Sequence, residues 1–190
     1  TIKSEPVERS VLYRTNQGTD AHILDGVVAD VRDCESYRLH GFVAEPAQAI
    51  AGGHLFFPLE NGTARINCAA FEPTKNFRAV VKQLILGDEL EVYGSVQEGT
   101  LNLEKINILH LADRVETSAP ICPQCQRRMK SAGKGQGYRC RHCKTHAESR
   151  VRQLLPRYME TGYYEVPPIA RRHLSKPLVR MNYRKVHISR

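Results

Sequence analysis

Four of the six cysteines in this chain form two Cys-x-x-Cys pairs, Cys122/Cys125 and Cys140/Cys143, with 14 residues between the pairs. A Cys-x-x-Cys on a tight turn places both sulfurs on the same side of the backbone, so two such turns can close a tetrahedron around Zn²⁺, with Zn–S distances of about 2.3 Å. Four thiolates leave no open coordination position, and the spacing therefore predicts one structural zinc ion that does not activate water. A redox dithiol or a chance spacing is the alternative, but two matched pairs are far more specific than one.

The residues around the cysteines predict a zinc ribbon. Pro123 follows the first cysteine, where its fixed φ favours a turn. The segment "GKGQG" (133–137) is typical of a hairpin tip, and "YRC" and "THAESRV" are predicted strands. His142 and His146 lie close enough in sequence to replace a ligand, although the four-cysteine set is already complete. A ribbon of this size has little core, so zinc would supply much of its folding free energy, on the order of 10–16 kcal/mol.

Basic residues surround the cysteine pairs and predict an anionic partner. Residues 114–190 hold 18 Lys and Arg against 4 Asp and Glu, whereas residues 1–113 hold 10 against 16, so the net charge of +8 is concentrated in the C-terminal part. The predicted phosphate contacts in the ribbon are Arg127, Arg128, Lys130, Lys134, Arg139 and Arg141. Tyr138 is a candidate for stacking on a base, the alternative being that it packs against the cysteine turn.

Length and composition restrict the class of protein. A chain of 190 residues, of which 41% are hydrophobic, is long enough for one ordinary domain or two small ones. It has no run of about 18 apolar residues, no apolar N-terminal signal segment and no basic amphipathic helix, so no membrane association is expected. Cysteine pairs suited to metal rather than to disulfides indicate a reducing compartment, which we take to be the cytoplasm. The other two cysteines, Cys34 and Cys68, are predicted to be small buried hydrophobic residues.

Upstream of the ribbon, alternating hydrophobic patterns predict a mainly β fold built on a five-stranded barrel. The predicted strands are 36–46, 52–61, 63–71, 87–96 and 101–111, with a helix at 74–85 that Thr74 can cap. Three strands, a helix and two strands form the order of the OB-fold, a Greek-key barrel whose second and third strands bind oligonucleotides or oligosaccharides. Phe56 and Phe57 are adjacent in the second strand, so one points outward and is a candidate stacking platform for a base, unless both are packed.

Two further segments flank these domains. The lead-in, residues 1–33, contains a polar block that is either a contact loop or an ordinary turn, and its candidate residues are Arg14, Asn16, Gln17, Thr19 and Asp20. With the barrel at residues 34–113 and the ribbon at 117–153, the tail spans 154–190 and carries enough Leu, Tyr and Val for partial docking, the alternative being a disordered tail. Its segment "PPIARRHLSK" predicts a short helix. The tail residues expected to be free for phosphate are Arg171, Arg172, His173 and Arg184.

The chain resembles the C-terminal half of the archaeal tRNA(Ile) 2-agmatinylcytidine synthetases. The resemblance rests on segments that occur in the same order: "RTNQGTDAH", "GGHLFFPLE", "AAFEPTKNFR", "LGDELEVYGSV", "LNLEKINIL", the four-cysteine ribbon and "PPIARRHLSKPL". It covers most of the chain. The barrel by itself also resembles the OB-folds that bind tRNA anticodons, a less specific likeness.

That family uses ATP to attach agmatine to the wobble cytidine of an isoleucine tRNA with a CAU anticodon: the carbonyl at position 2 of the base is phosphorylated, and agmatine displaces the phosphate. The resemblance implies that ATP and agmatine bind in N-terminal kinase-like and ferredoxin-like domains of the same polypeptide, and that barrel and ribbon bind the tRNA. This chain has no Gly-rich phosphate loop and no carboxylate cluster, and it begins without Met. We therefore expect a piece of a longer enzyme, without catalytic residues and inactive alone.

Two other functions fit the residues. One is a general single-stranded nucleic-acid-binding protein that combines an OB-fold with a zinc ribbon. The other is a protein-interaction scaffold whose basic tail contacts an acidic protein. The polar "RTNQGTD" block and the tail motifs favour the tRNA-modifying enzyme, because neither alternative requires them.

Overall fold

The computed structural model describes residues 6–62 and 64–188, and the chain separates into two compact units. The first unit comprises Thr1–His110 and Thr161–Arg190, and the second comprises Leu111–Glu160. In chain order, the strands are β1 (Ile23–Asp25), β2 (Ser36–Val43), β3 (Gln48–Ala49), β4 (Leu55–Asn61), β5 (Ala64–Ala70), β6 (Glu89–Gln97), β7 (Thr100–His110), β8 (Arg114–Ser118), β9 (Lys130–Ser131), β10 (Tyr138–Arg139), β11 (His146–Ala147), β12 (Val151–Leu155), β13 (Gly162–Glu165) and β14 (Val186–His187). One α-helix, α1, spans Asn76–Val81, and short 3-10 turns lie at Val28–Asp30, Glu72–Thr74, Pro168–Ala170 and Leu178–Arg180.

Five strands of the first unit close into a barrel. β2 pairs antiparallel with β4 and β6, β4 pairs with β5, and β6 pairs with β7. The parallel pairing of β5 with the start of β7 closes the ring. This is the strand order of the OB-fold, so the mainly β barrel predicted from the alternating patterns is confirmed. Thr63, the first residue of the predicted strand 63–71, lies outside the described residues.

The barrel interior follows from the two-residue period of its strands. Leu39, Phe57, Leu59, Val92 and Ile106 are fully buried, since alternate side chains of a strand point to the same face. In β6, the register shifts between Tyr93 and Gly94, and a Cβ on Gly94 would meet the Asn102 carbonyl oxygen. A glycine is therefore needed at this bulge, which curves the strand.

The predicted helix 74–85 is shorter than the sequence suggests. Thr74 does not cap it: its hydroxyl donates to the Phe71 carbonyl at 2.7 Å within a preceding 3-10 turn, and the N-cap is Lys75. After Val81, the chain continues as tight turns, with the Leu84 amide bonded to the Val81 carbonyl at 3.2 Å. Leu84 is still buried after the regular helix has ended. The helical spacing of apolar residues in the sequence therefore continues beyond the helix itself.

Residues 161–190 group with the barrel. β13 pairs antiparallel with the second half of β7, and β14 pairs in parallel with β13. The segment "PPIARRHLSK" forms only one 3-10 turn, at Pro168–Ala170, so the short helix predicted there is wrong. Beyond this turn, the Ser175 amide donates to the Arg172 carbonyl at 3.0 Å and closes a second turn, while other groups of the segment bond to β7 and to the lead-in segment instead of continuing a helix.

The second unit contains two small sheets. β9, β10 and β11 form the ribbon sheet, and β8 pairs antiparallel with β12. The single strand predicted at "THAESRV" is divided into β11 and the start of β12, which belong to different sheets. No helix among residues 6–62 and 64–188 has the length and apolar character that crossing a membrane requires.

The two remaining cysteines differ from each other. Cys68 is buried on β5, as predicted, and burial raises the pKa of its thiol. Cys34 is exposed, so its predicted burial is wrong. It lies in a turn with φ of 66°, and such a turn lies at the surface between β1 and β2.

Candidate metal centre and nucleic-acid interface

The two Cys-x-x-Cys pairs adopt the same turn twice. The Gln126 amide donates to the Cys122 carbonyl at 2.9 Å, and the Lys144 amide donates to the Cys140 carbonyl at 3.0 Å. Gln126 and Lys144 both have left-handed backbone angles, with φ of 58° and 62°. The repeated geometry turns each pair of sulfurs toward the other pair.

The four sulfurs fit a tetrahedral metal site. They all lie within 4.8 Å of one another, and the Cys125 and Cys140 sulfurs are 3.5 Å apart. A tetrahedron with Zn–S bonds of about 2.3 Å has S–S edges of about 3.8 Å, so little adjustment is needed. All four are free thiols rather than disulfides, and soft thiolates are ligands that zinc prefers.

The local backbone promotes a thiolate at Cys122. Burial raises its pKa, but backbone N–H groups of Cys125 and Gln124 bond to the sulfur and lower the pKa to about 6 overall. The hydrogen bond with Cys125 and burial raise the pKa of Cys143 to about 12. Thiols this close cannot all ionise without a cation, which is what a bound divalent metal supplies.

Neither nearby histidine displaces a cysteine from this cluster. His142 is exposed, and its Nδ1 lies 3.5 Å from the Cys143 sulfur. His146 is exposed on β11. Among the described residues, the cluster with metal-ligand geometry consists of the four cysteines.

The six predicted phosphate-binding cations of the ribbon are all exposed, and none has an acidic partner among the described residues. All of them except Lys134 line one or both of two hollows. One, of about 420 Å³, is lined in part by Lys130, Arg139, Arg141, Lys144 and His146. The other, of about 360 Å³, is lined by Arg127, Arg128, Lys130, Cys140, Arg141 and His142. This surface, which we call the ribbon cationic face, is open to a polyanion.

Sequence reasoning missed Lys144 as a member of this face. It follows the second cysteine turn at the position that Gln126 holds in the first, and that correspondence was the available signal. Its Nζ donates to the Arg141 carbonyl at 3.0 Å, which keeps its charge beside Arg141.

Tyr138 packs against the ribbon core, as the alternative interpretation stated. It lies against the cluster formed by Cys122, Met129 and Cys140, and its hydroxyl accepts a hydrogen bond from Arg150 at 2.8 Å. Tyr138 is half-buried in this position, and stacking of its remaining exposed surface on a base stays a prediction.

The adjacent phenylalanines of β4 point to opposite faces. Phe57 is 0% exposed in the barrel interior, so it is not a stacking platform. Phe56 is half-buried on the outer face, where its ring contacts Phe71 edge-on with a centroid distance of 6.2 Å. Phe56 also lines a hollow of about 420 Å³ together with Arg65 and Asn67 of β5. This hollow lies on the strand 2–3 face that OB-folds use for oligonucleotides.

The polar block of the lead-in segment docks onto the tail. The Gly18 amide donates to the His173 carbonyl at 2.8 Å, and the Asp20 carboxylate accepts from the Lys176 amide at 2.6 Å. Asp20 also pairs with the Lys105 ammonium group at 2.6 Å, so it is occupied by the protein itself. Thr19 turns its hydroxyl to the Asn16 carbonyl at 2.6 Å. The exposed members that remain available are Arg14, Asn16 and Gln17.

The expectation of free tail cations needs correction. Arg171 is 17% exposed and pairs with Glu165 at 2.9 Å, because the carboxylate of Glu165 is buried and requires a cation. Arg172 contacts Glu104 at 3.4 Å but keeps 53% of its side chain exposed. His173 and Arg184 are exposed.

Comparison with known sequences and structures divides the chain in the same way. Residues 26–111 match the OB-fold nucleic acid binding domain family, and residues 119–159 match the TiaS C-terminal zinc ribbon domain family. A tRNA(Ile2) 2-agmatinylcytidine synthetase TiaS of Archaeoglobus fulgidus is 49% identical over 191 residues, which is 100% of this chain and 46% of that protein. The Methanosarcina mazei TiaS is 50% identical over 190 residues, 99% of this chain and 44% of its own length.

Solved structures agree. A crystal structure of the TiaS–tRNA(Ile2)–ATP complex has a TM-score of 0.85 at 48% identity, covering 98% of this chain and 44% of that one. A TiaS–tRNA(Ile2)–AMPCPP–agmatine complex has a TM-score of 0.81 at 44% identity, covering 98% and 43%. The chain thus spans less than half the length of these relatives. By sequence and by fold, it belongs to the tRNA(Ile2) 2-agmatinylcytidine synthetase (TiaS) family and corresponds to the part that holds the OB-fold and the zinc ribbon.

Proposed function

We propose that this chain is the tRNA-binding portion of an ATP-dependent enzyme that attaches agmatine to the wobble cytidine of an isoleucine tRNA. The observation that carries the proposal is the ribbon cationic face, where six exposed cations lie around a four-cysteine cluster. The relatives named above act on tRNA(Ile2), and two of the matching structures hold that tRNA. The preferred target is accordingly a folded tRNA with a CAU anticodon.

Zinc would act structurally in this function. Cys122, Cys125, Cys140 and Cys143 would hold one Zn²⁺ and complete its coordination. The cysteine turns carry the cations: Arg127 and Arg141 lie within or next to them. Fixing the turns fixes the spacing of these charges, which lowers the ordering cost when phosphates bind.

The ribbon cationic face would help to present the target base. A base must leave its stack before an enzyme can reach its carbonyl, at a cost of a few kcal/mol that is smallest in a single-stranded loop. Contacts of arginine and lysine with flanking phosphates supply binding free energy without reading sequence. We infer that the ribbon binds a loop of the tRNA in this way.

The barrel would contribute a second contact. Its outer hollow combines the half-buried ring of Phe56 with Arg65 and Asn67, a ring for stacking and polar groups for the backbone or a base edge. The barrel half of the sequence has an acidic charge balance, so shape and stacking rather than charge would dominate there.

Catalysis would depend on other domains. We propose that ATP and agmatine bind in N-terminal domains of the same polypeptide, and that this chain alone is inactive. The four thiols require reducing conditions, which is consistent with the cytoplasm.

Charge substitution on the ribbon cationic face tests the proposal. For a tRNA(Ile2) transcript, we expect Arg139→Gln/Arg141→Gln to weaken binding and to flatten the plot of log Kd against log salt by about 1.4–1.8, since each phosphate contact contributes about 0.7–0.9. Lys75→Gln/Lys82→Gln removes the same charge from exposed residues of the barrel unit and serves as the matched control.

Competition separates the alternatives. We expect unlabelled tRNA to displace labelled tRNA at far lower concentration than oligo-dT of equal length. Preference for oligo-dT would favour a general single-stranded nucleic-acid-binding protein. If the two double substitutions change the salt dependence equally, the ribbon cationic face is not part of the RNA interface.

A further inference from the structure

Three tyrosines of the first unit form a column that ends at the surface. The rings of Tyr163 and Tyr183 are parallel within 5°, with a centroid distance of 4.1 Å, and the ring of Tyr93 lies 6.4 Å from that of Tyr163. Tyr93 is 5% exposed, whereas Tyr183 is 39% exposed although Tyr163 covers one of its faces. The column therefore begins in the barrel wall and ends with an accessible aromatic ring.

The backbone holds this outer ring in place. Tyr163 lies on β13 opposite Asn107 of β7, and its amide donates to the Lys185 carbonyl at 2.9 Å. Gly162, with φ of 123°, lets the Lys185 backbone approach closely, since a Cβ there would clash with the Lys185 carbonyl oxygen. This contact holds the backbone two residues after Tyr183. A ligand that stacks on the Tyr183 ring would therefore not lose binding free energy to ordering the ring.

The surroundings of Tyr183 favour an anionic aromatic ligand. Its chain neighbours Asn182 and Arg184 are exposed, and Arg184 has no acidic partner among residues 6–62 and 64–188. Burial raises the pKa of Tyr163, and the Glu91 carboxylate adds a smaller effect in the same direction. That carboxylate accepts a hydrogen bond from the Asn107 side chain at 2.8 Å. An exposed ring that is followed in the chain by an unpaired cation is a combination that can bind a base together with its phosphate.

We propose that Tyr183 is a stacking platform for an unpaired nucleobase of the bound RNA, with Arg184 contacting the adjoining phosphate. This inference rests on the proposed function, because it requires that the chain binds tRNA. The base would extend the Tyr163–Tyr183 stack by one ring. Any base has an aromatic face, so the platform would add affinity without selecting sequence.

A tryptophan reporter tests the platform directly. The chain contains no Trp, so Tyr183→Trp introduces its only indole. We expect saturating tRNA(Ile2) transcript to quench this fluorescence, because a base stacked on the indole is in van der Waals contact with it. Phe42→Trp is the matched control, because Phe42 is 42% exposed in the same unit. Its ring contacts that of His40, which is hydrogen-bonded to the Glu89 carboxylate.

Affinity measurements separate stacking from anchoring of the tail. Tyr183→Phe keeps the ring and should keep the wild-type Kd, whereas Tyr183→Leu keeps apolar bulk and should raise the Kd about 5- to 150-fold. If the Tyr183→Trp variant binds tRNA normally but its indole stays unquenched, or if the Leu variant binds like the Phe variant, the platform is overturned and the proposed function is left intact. If the wild-type chain does not bind tRNA at all, both inferences fall.

Discussion

Lys105 shows how single residues join distant segments of this chain. It is 1% exposed on β7, and its ammonium group contacts the Asp20 carboxylate, the Ser175 hydroxyl and the Lys176 carbonyl. A buried cation that loses its partner is costly, because the low-dielectric interior does not solvate it. The pair therefore locks the lead-in loop and the tail onto the barrel.

We predict that Asp20→Ala destabilises the protein by about 3–5 kcal/mol, since it leaves the Lys105 ammonium buried without a carboxylate. Asp25→Ala is the control, because Asp25 is 76% exposed in its pair with Arg38 and should cost at most about 1 kcal/mol. Urea unfolding followed by circular dichroism measures both. Equal losses of stability would show that the buried pair does not lock the loop.

At the scale of elements, the cysteine turns, the barrel strands and the tail differ in how far sequence predicts them. The turns follow from their spacing, and the barrel follows from alternating patterns that match a sheet with one buried face. The docking of residues 18–20 onto 173–176 could not be foreseen, because it uses backbone hydrogen bonds between segments about 150 residues apart. Nor does any apolar pattern mark Lys105 as buried.

The six cysteines are expected to react with a thiol reagent in a fixed order, because they differ in exposure and in metal binding. With zinc bound, we predict that a thiol reagent modifies Cys34 first, because it is exposed. A chelator should then release the four ribbon cysteines, and Cys68 should react only in denaturant, since burial in β5 raises its pKa and blocks access. Mass mapping of the modified residues measures the order. Rapid modification of the ribbon cysteines without chelator would contradict a metal-held cluster.

For the whole molecule, charge separation is the main organising feature. The acidic balance of residues 1–113 is offset partly by pairs with tail cations such as Arg172 with Glu104, while the ribbon keeps its cations exposed. The charge asymmetry was visible in the sequence, but the sequence did not show which cations stay unpaired. Arg171 forms an ion pair with Glu165, whereas Arg139 and Arg141 are exposed. The cations available for the proposed RNA contacts are therefore decided by where the fold places its carboxylates.

The most direct measurement is the Kd of the protein for tRNA(Ile2) transcript before zinc removal, after it, and after zinc is restored. If the metal holds the ribbon cationic face in its binding geometry, removal should raise the Kd about tenfold or more, and added Zn²⁺ should reverse the change. An unchanged Kd after complete zinc loss would contradict the account, because the cations would then bind RNA without the cluster that positions them.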